Sequence, residues 1–212
     1  LEEIAERIRE AAVKAGADDA ECLARWNVSV GIDLRKGKID GVRRRQETSA
    51  SLRVLKDGRE GMVFTTAPEE TLYPVLTQEA LDCAGLMPQV EGNRFSPARD
   101  FRPVEGLFDG SGLSLPFEEK VLMARAVEEA VLEADPRIQQ AHKPSYHEQG
   151  RKTAIASGGR VWSYEDTVFS LSVEAIAKSE GESQSGYEYR TSRRLADLEP
   201  SLIGALGARE AV

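Results

Sequence analysis

The chain repeats itself. A Gly-basic-aliphatic triplet, then a carboxylate, then Ser-Leu-x-Val occurs twice: Gly37-Lys38-Ile39, Glu47 and Ser51-Leu52-Arg53-Val54, and again Gly159-Arg160-Val161, Asp166 and Ser170-Leu171-Ser172-Val173. In both copies the carboxylate stands four residues before the serine. A repeat of this kind restricts the fold to what two copies of one supersecondary unit can build.

The flanking elements agree with the repeat. Leu1, Ile4, Ala5, Ile8 and Ala12 recur at helical spacing and the pattern closes on Gly16, which predicts an amphipathic helix over residues 1–15. The period then drops to two: Cys22, Ala24, Trp26, Val28, Val30, Ile32 and Leu34 alternate with mostly polar residues, the signature of a strand with one dry face. Lys36-Gly37 makes a turn, a second strand covers residues 38–46, Ala50, Leu52 and Val54 form a third, and Asp57-Gly58 turns the chain into a fourth over 59–65. Thr66 with Glu69 reads as a capping box opening a helix through Leu72, Leu76, Ala80 and Cys83, with Pro74 either kinking it or beginning its longer piece.

The second half follows the same order. Ser114 as N-cap and Pro116 in the first turn open a helix whose stripe runs from Val121 to Ala134 and stops at Asp135-Pro136. Four strands are expected over 138–148, 151–157, 167–177 and 182–191, with turns at Gly158-Gly159 and Glu180-Gly181, then a last helix from Leu198 capped by Asp197. The expected architecture is therefore α+β: two related helix-four strands-helix units, an internal duplication packed together with mixed or antiparallel sheets. They occupy residues 1–84 and 114–212, joined by a proline- and glycine-rich segment, 85–113. Phe95, Phe101, Leu107 and Phe108 in that segment predict an ordered crossing over a surface, because flexible linkers rarely carry such residues.

At 212 residues with 41% hydrophobic and 30% charged content, the composition is that of a soluble globular protein. No run reaches eighteen apolar residues, so no helix is expected to span a membrane. Leu1 opens the sequence with no signal-peptide pattern, which predicts a cytoplasmic protein in which Cys22 and Cys83 are buried free thiols. A net charge of -8 disfavours direct binding of nucleic acid. Arg43-Arg44-Arg45 falls on a strand that sends Arg44 to the face opposite its neighbours, and Arg190, Arg193 and Arg194 are read as a solvated polar face.

Catalytic constellations are missing. His147-Glu148 resembles half of a zinc-protease helix, but Arg151 and Lys152 stand where the second histidine belongs, and alternation sends His142 and His147 to opposite faces of a strand. Gly181-Glu182-Ser183-Gln184-Ser185-Gly186 contains no Gly-x-Ser-x-Gly elbow and reads as a hairpin. Neither a catalytic residue nor a metal ligand is assigned. The candidate binding feature is a peptide or partner edge at Tyr187, Tyr189 and Arg190: the tyrosines share one face of a strand, and Glu188 and Arg190 the other. The alternative is that both tyrosines pack beneath the preceding helix.

Read together and in order, Gly16-Ala17-Asp18-Asp19-Ala20-Glu21, Leu34 to Ile39, Val54 to Gly61, Glu128-Glu129-Ala130 and Ala134 to Ile138 resemble the N-terminal region of the TldD/PmbA family, the modulators of DNA gyrase. Ser157-Gly158-Gly159, Ser170 to Val173 and Gly181 to Tyr189 are similar to its PmbA (TldE) branch. The resemblance implies the N-terminal part of a non-catalytic TldE-like subunit in a cytoplasmic metalloprotease complex acting on unfolded or modified peptides, including microcin precursors and an antitoxin. It implies a TldD-like subunit as partner in a heterodimer, or else a homodimer. No cofactor is expected in this chain, and zinc is expected in the TldD-type partner, held by a His-Glu-x-x-x-His helix and a distant cysteine. The competing reading is a stand-alone binding or structural module with no protease role.

Overall fold

The computed structural model describes residues 1–96 and 102–212. Its helices are α1 (Glu2–Lys14), α2 (Tyr73–Leu86), α3 (Gly110–Leu113), α4 (Phe117–Ala134) and α5 (Pro200–Ala211). Its strands are β1 (Asp19–Arg35), β2 (Lys38–Lys56), β3 (Arg59–Thr65), β4 (Ile138–Ser157), β5 (Arg160–Ser179) and β6 (Glu182–Ser192), in one sheet of order β3-β2-β1-β4-β5-β6. Among the described residues no helix is long and apolar enough to cross a membrane.

The class is α+β, but each half holds three strands rather than four. Residues 47–49, read as a gap, belong to the unbroken β2, and Gly150, read as another, lies inside β4. Neither stretch contains a pair of residues able to reverse the chain, and polar character alone does not end a strand. All four true reversals are two-residue turns with both φ positive: Lys36-Gly37, Asp57-Gly58, Gly158-Gly159 and Glu180-Gly181. Such turns match strand twist and fix hairpin register.

The sheet order is a palindrome about β1 and β4, so β2 with Leu52 and β5 with Leu171 hold equivalent places. Gly61 of β3 and Gly186 of β6 each lie against the backbone of the helix that follows, α2 and α5 respectively. Val54 stands opposite Gly61, whereas Ala175, not Val173, stands opposite Gly186. The Ser-Leu-x-Val motif is thus displaced by two residues between the copies. Two residues is one full strand period, so every side chain keeps its face.

The compact units cut the chain differently from the repeat. The first comprises Leu1–Asn27, Gln46–Val104 and Arg151–Glu165; the second comprises Val28–Arg45, Glu105–Gly150 and Asp166–Val212. Small side chains dominate the first core, with Ala5, Ala12, Ala80 and Ala84 from helices meeting Ala20, Cys22 and Ala24 of β1. In the second, Val127 and Val131 of α4 and Ile203 of α5 pack over Phe169, Leu171 and Val173 of β5. Burying each such side chain stabilises by about 1.5–3 kcal/mol. Along β1 the dry face holds at Ala20, Cys22 and Ala24 and again at Ile32 and Leu34, while Trp26, Val28 and Val30 are only half-buried.

Capping differs from expectation at three helix starts. Pro74 lies in the first turn of α2, and the Thr66/Glu69 box does not form; Thr65 Oγ1 instead accepts from Ala67 N–H at 3.1 Å. Pro116 is the N-cap of α4, because the Ser114 hydroxyl is spent on the Gly110 carbonyl at 2.8 Å. Asp197 does not cap α5; it accepts from Ser192 Oγ at 2.9 Å. Pro74 and Pro200 need no cap of their own N–H, and their fixed φ suits a first turn.

The segment joining the halves is anchored at both described ends. Phe95 is buried under the Arg53 guanidinium, 4.9 Å from the ring centre, and Val90 N–H donates to the Gly58 carbonyl at 3.1 Å. At the far end Thr167 N–H donates to the Leu107 carbonyl, and Asp109 caps α3 while accepting from Leu195 N–H at 3.0 Å. Phe108 is exposed rather than buried, and Phe101 lies outside the described residues.

Candidate functional site

The sequence-assigned edge lies on β6, the last strand of the sheet. Tyr187 stands opposite Glu174, Tyr189 opposite Ser172 and Arg190 opposite Leu171 of β5. The tyrosines are 58% and 50% exposed, so they do not pack beneath a helix. The helix on β6 is α5, and it covers the other face, with Gly207 beside Glu188 and Gly186 against α5 backbone. On that face Arg190 Nε pairs with Glu188 Oε1 at 2.8 Å. The strand therefore presents two tyrosines, with its outer edge unpaired among the described residues.

β3, the opposite end of the sheet, carries the same device. Met62 and Phe64, one and three residues after Gly61, are 56% and 63% exposed, as Tyr187 and Tyr189 are one and three after Gly186. Sequence reasoning missed this pair. Aligning Gly61-Met62-Val63-Phe64 with Gly186-Tyr187-Glu188-Tyr189 is the signal that finds it.

Beside Tyr187 a polar cleft of about 270 Å³ is lined by Asp33, His142, Ser145, Ser172 and Glu174. Arg43 grips Asp33 with two hydrogen bonds, at 2.8 and 3.2 Å, and Ser145 Oγ lies 2.7 Å from Ser172 Oγ. The expectation that His142 and His147 face opposite ways fails. Lys143, at φ +46°, inserts a bulge before Pro144, and the buried positions move from Ala141 to Pro144, Tyr146, Glu148 and Gly150. Both histidines consequently fall on the half-open face. Four strand steps still separate them by roughly 13 Å, too far to share an ion. Burial and then Arg43 hold the His147 imidazole below its usual 6.5.

Glu148, considered above as half of a zinc motif, faces inward and is 5% exposed. Its Oε1 accepts from Lys120 Nζ at 2.6 Å, its Oε2 accepts from Tyr146 OH at 2.6 Å, and Lys120 Nζ also donates to the Leu113 carbonyl at 3.0 Å. Burial, reinforced by the carboxylate, pushes the Tyr146 phenol far up. These groups do not fit a zinc centre: the carboxylate is already held twice, and among the described residues no three His, Cys, Asp or Glu side chains converge. A charged residue in the buried phase of a strand was the signal; its partner, 28 residues away, carries none.

Arg193 and Arg194 form ion pairs on a half-exposed surface. Arg193 meets Asp166 at 2.6 Å and Arg194 meets Asp197 at 3.6 Å. Arg43 and Arg44 diverge as alternation requires, Arg43 toward Asp33 and Arg44 toward Val42 and Phe117. Both cysteines are free; Cys22 is buried, and Cys83 only half so.

The model of the PmbA/TldA metallopeptidase central domain matches residues 110–212, and that of PmbA/TldA metallopeptidase domain 1 matches residues 20–82. The chain is 26% identical over 205 residues to Metalloprotease PmbA of Escherichia coli O157:H7, covering 91% of this chain and 44% of that one. It thus spans less than half the length of this curated relative. A crystal structure from Thermotoga maritima MSB8, named for modulation of a DNA gyrase, superposes with TM-score 0.81 at 25% identity, covering 99% of this chain and 47% of the other. One of the same description from Bacteroides thetaiotaomicron VPI-5482 gives 0.86 at 23% identity, covering 99% and 48%. TldE from Thermococcus kodakarensis gives 0.74 at 15% identity, covering 95% and 45%. The last two likenesses speak to the fold alone.

Proposed function

The chain belongs to the PmbA/TldD metallopeptidase family, and from that premise we propose that it is the N-terminal part of a TldE/PmbA-like subunit that holds extended peptide for a catalytic partner. In this reading the subunit is not itself catalytic, and it works in the cytoplasm with a TldD-type subunit that carries the zinc. Its substrates are unfolded or modified peptides, such as microcin precursors and an antitoxin.

The observation that carries the reading is β6: a terminal strand whose outer edge is unpaired among the described residues, with a pair of exposed tyrosines, backed on its reverse face by α5. Adding an extended peptide to such an edge gives main-chain hydrogen bonds that do not depend on sequence, while aromatic side chains supply contact area. A protease that accepts varied unfolded substrates needs that combination. In the full assembly, Tyr187→Ala with Tyr189→Ala is expected to abolish cleavage of an unfolded peptide and leave thermal stability unchanged. Cleavage at the wild-type rate would remove the edge from the mechanism, and lost stability would make the tyrosines structural.

A further inference from the structure

A cleft of about 350 Å³ opens in the second unit, away from the tyrosine edge. Val28 and Val30 of β1, Val42 of β2, and Leu113, Leu115 and Phe117 around the start of α4 form its apolar walls. Its size lies near the lower end of the range for ligand pockets, about 300–1,000 Å³. Gly150 keeps it open, because a methyl group there would meet Leu113 Cδ1 at 2.7 Å and push that wall. Val42 and Phe117 are 49% and 40% exposed, so solvent reaches an apolar surface that the fold leaves uncovered.

The polar groups in the lining set the charge of what enters. Lys120, Glu148 and Arg44 are the ionised members. Glu148 is neutralised by Lys120 and held by Tyr146. The ammonium has three N–H donors, and Glu148 and the Leu113 carbonyl use two. Arg44 makes no ion pair among the described residues, unlike Arg43, which is spent on Asp33. The lining therefore carries one net positive charge inside a chain of net charge -8. One unit of positive charge over apolar walls suits a single carboxylate on an apolar body, and it undercompensates a phosphate.

We infer that this cleft binds the C-terminal residue of a peptide: a bulky apolar side chain between Val28, Val42 and Phe117, and the terminal carboxylate on Arg44 and the spare Lys120 N–H. The choice of a peptide as the source of that carboxylate rests on the peptide-holding reading above. The site is separate from β6, so one peptide class tests each.

The probe is a fluorescein-labelled hexapeptide ending in Ala-Ala-Phe, as the free acid and as the amide, with fluorescence anisotropy on the intact gene product. The acid is expected to bind at least roughly tenfold tighter than the amide, the scale of one charge-assisted hydrogen bond. Arg44→Gln should remove that preference, Leu115→Asp should weaken both forms, and Arg43→Gln, on the opposite face, should change neither. Equal affinity for acid and amide overturns the inference, as does an acid preference that survives Arg44→Gln. Dodecanoate displacing the peptide at lower concentration than the peptide itself overturns it by assigning the cleft to fatty acids. If a peptide capped at both ends still binds in a Tyr187- and Tyr189-dependent manner while the acid preference is absent, only this inference falls; if no peptide binds, the peptide-holding reading falls with it.

Discussion

Gly61 and Gly186 stand in the same relation to the helices behind them. A Cβ on Gly61 would lie 2.0 Å from the Ala80 carbonyl oxygen and 2.6 Å from Ala84 N; one on Gly186 would lie 2.4 Å from the Gly207 carbonyl oxygen and 2.6 Å from Ala211 N. In both places the obstacle is helix backbone, which cannot step aside as a side chain can. Gly61→Ala and Gly186→Ala are each expected to destabilise by ~1–3 kcal/mol through overpacking, measured by urea unfolding. Gly85→Ala, near the end of α2 with open space around it, serves as the control and should leave stability unchanged or slightly raised.

Glu148→Ala strands the Lys120 ammonium in the second core, where both side chains are over nine-tenths buried. A loss of about 3–5 kcal/mol is expected. The double change Lys120→Met with Glu148→Leu should recover most of it, because no unpaired charge remains. Urea midpoints of the three proteins decide this.

The two thiols should react at very different rates. Burial pushes Cys22 up to about 12, while Cys83 is half-exposed, so an aromatic disulfide reagent at pH 8 should label Cys83 first. Because the folded state raises the Cys22 value above 9.0, its contribution to stability is complete below that pH and declines as pH climbs toward 12. Cys22→Ser should flatten that alkaline decline.

His147 is shifted the other way. Its imidazole is held below 6.5 in the fold, so the stability it contributes is complete above pH 6.5 and is lost as pH falls through the lowered value. Arg43→Gln should bring the value back toward 6.5, read from the imidazole proton shifts by NMR.

Alone, the chain is expected to hold no stoichiometric zinc and to hydrolyse no peptide. Metal analysis after mild chelation tests the first. Zinc that survives chelation and disappears with His147→Ala would place a metal site here after all.

The hairpins were legible because their turns depend on local chemistry: a glycine after Lys36, Asp57, Gly158 or Glu180 permits the paired positive φ that a two-residue reversal needs. The strand phase was legible wherever one face is dry, as at Cys22 and Ala24. What could not be read depends on partners distant in sequence. Residues 47–49 look like loop because only neighbouring strands keep them extended. The bulge at Lys143 rests on a lysine in a conformation that composition does not announce, and it is what brought His142 and His147 to one face. Met62 and Phe64 carry no sign of exposure in the sequence, and it is α2, packed against Gly61 on the reverse side of β3, that leaves them facing outward.

Neither compact unit is a continuous stretch of chain, and this sets an order on biosynthesis. The first unit needs Arg151–Glu165, so a ribosome that has released residues 1–113 has delivered helices α1 and α2 and three strands but not the segment that supplies Ala154 and Ala156 to that core. Until β4 emerges, the alanine-lined faces of α1 and β1 have no complete counterpart, and the nascent chain waits with both halves of its architecture unfinished. The first unit can close once Glu165 has emerged, whereas the second still needs Asp166–Val212, with the rest of β5, β6 and α5, so the two cores are completed one after the other.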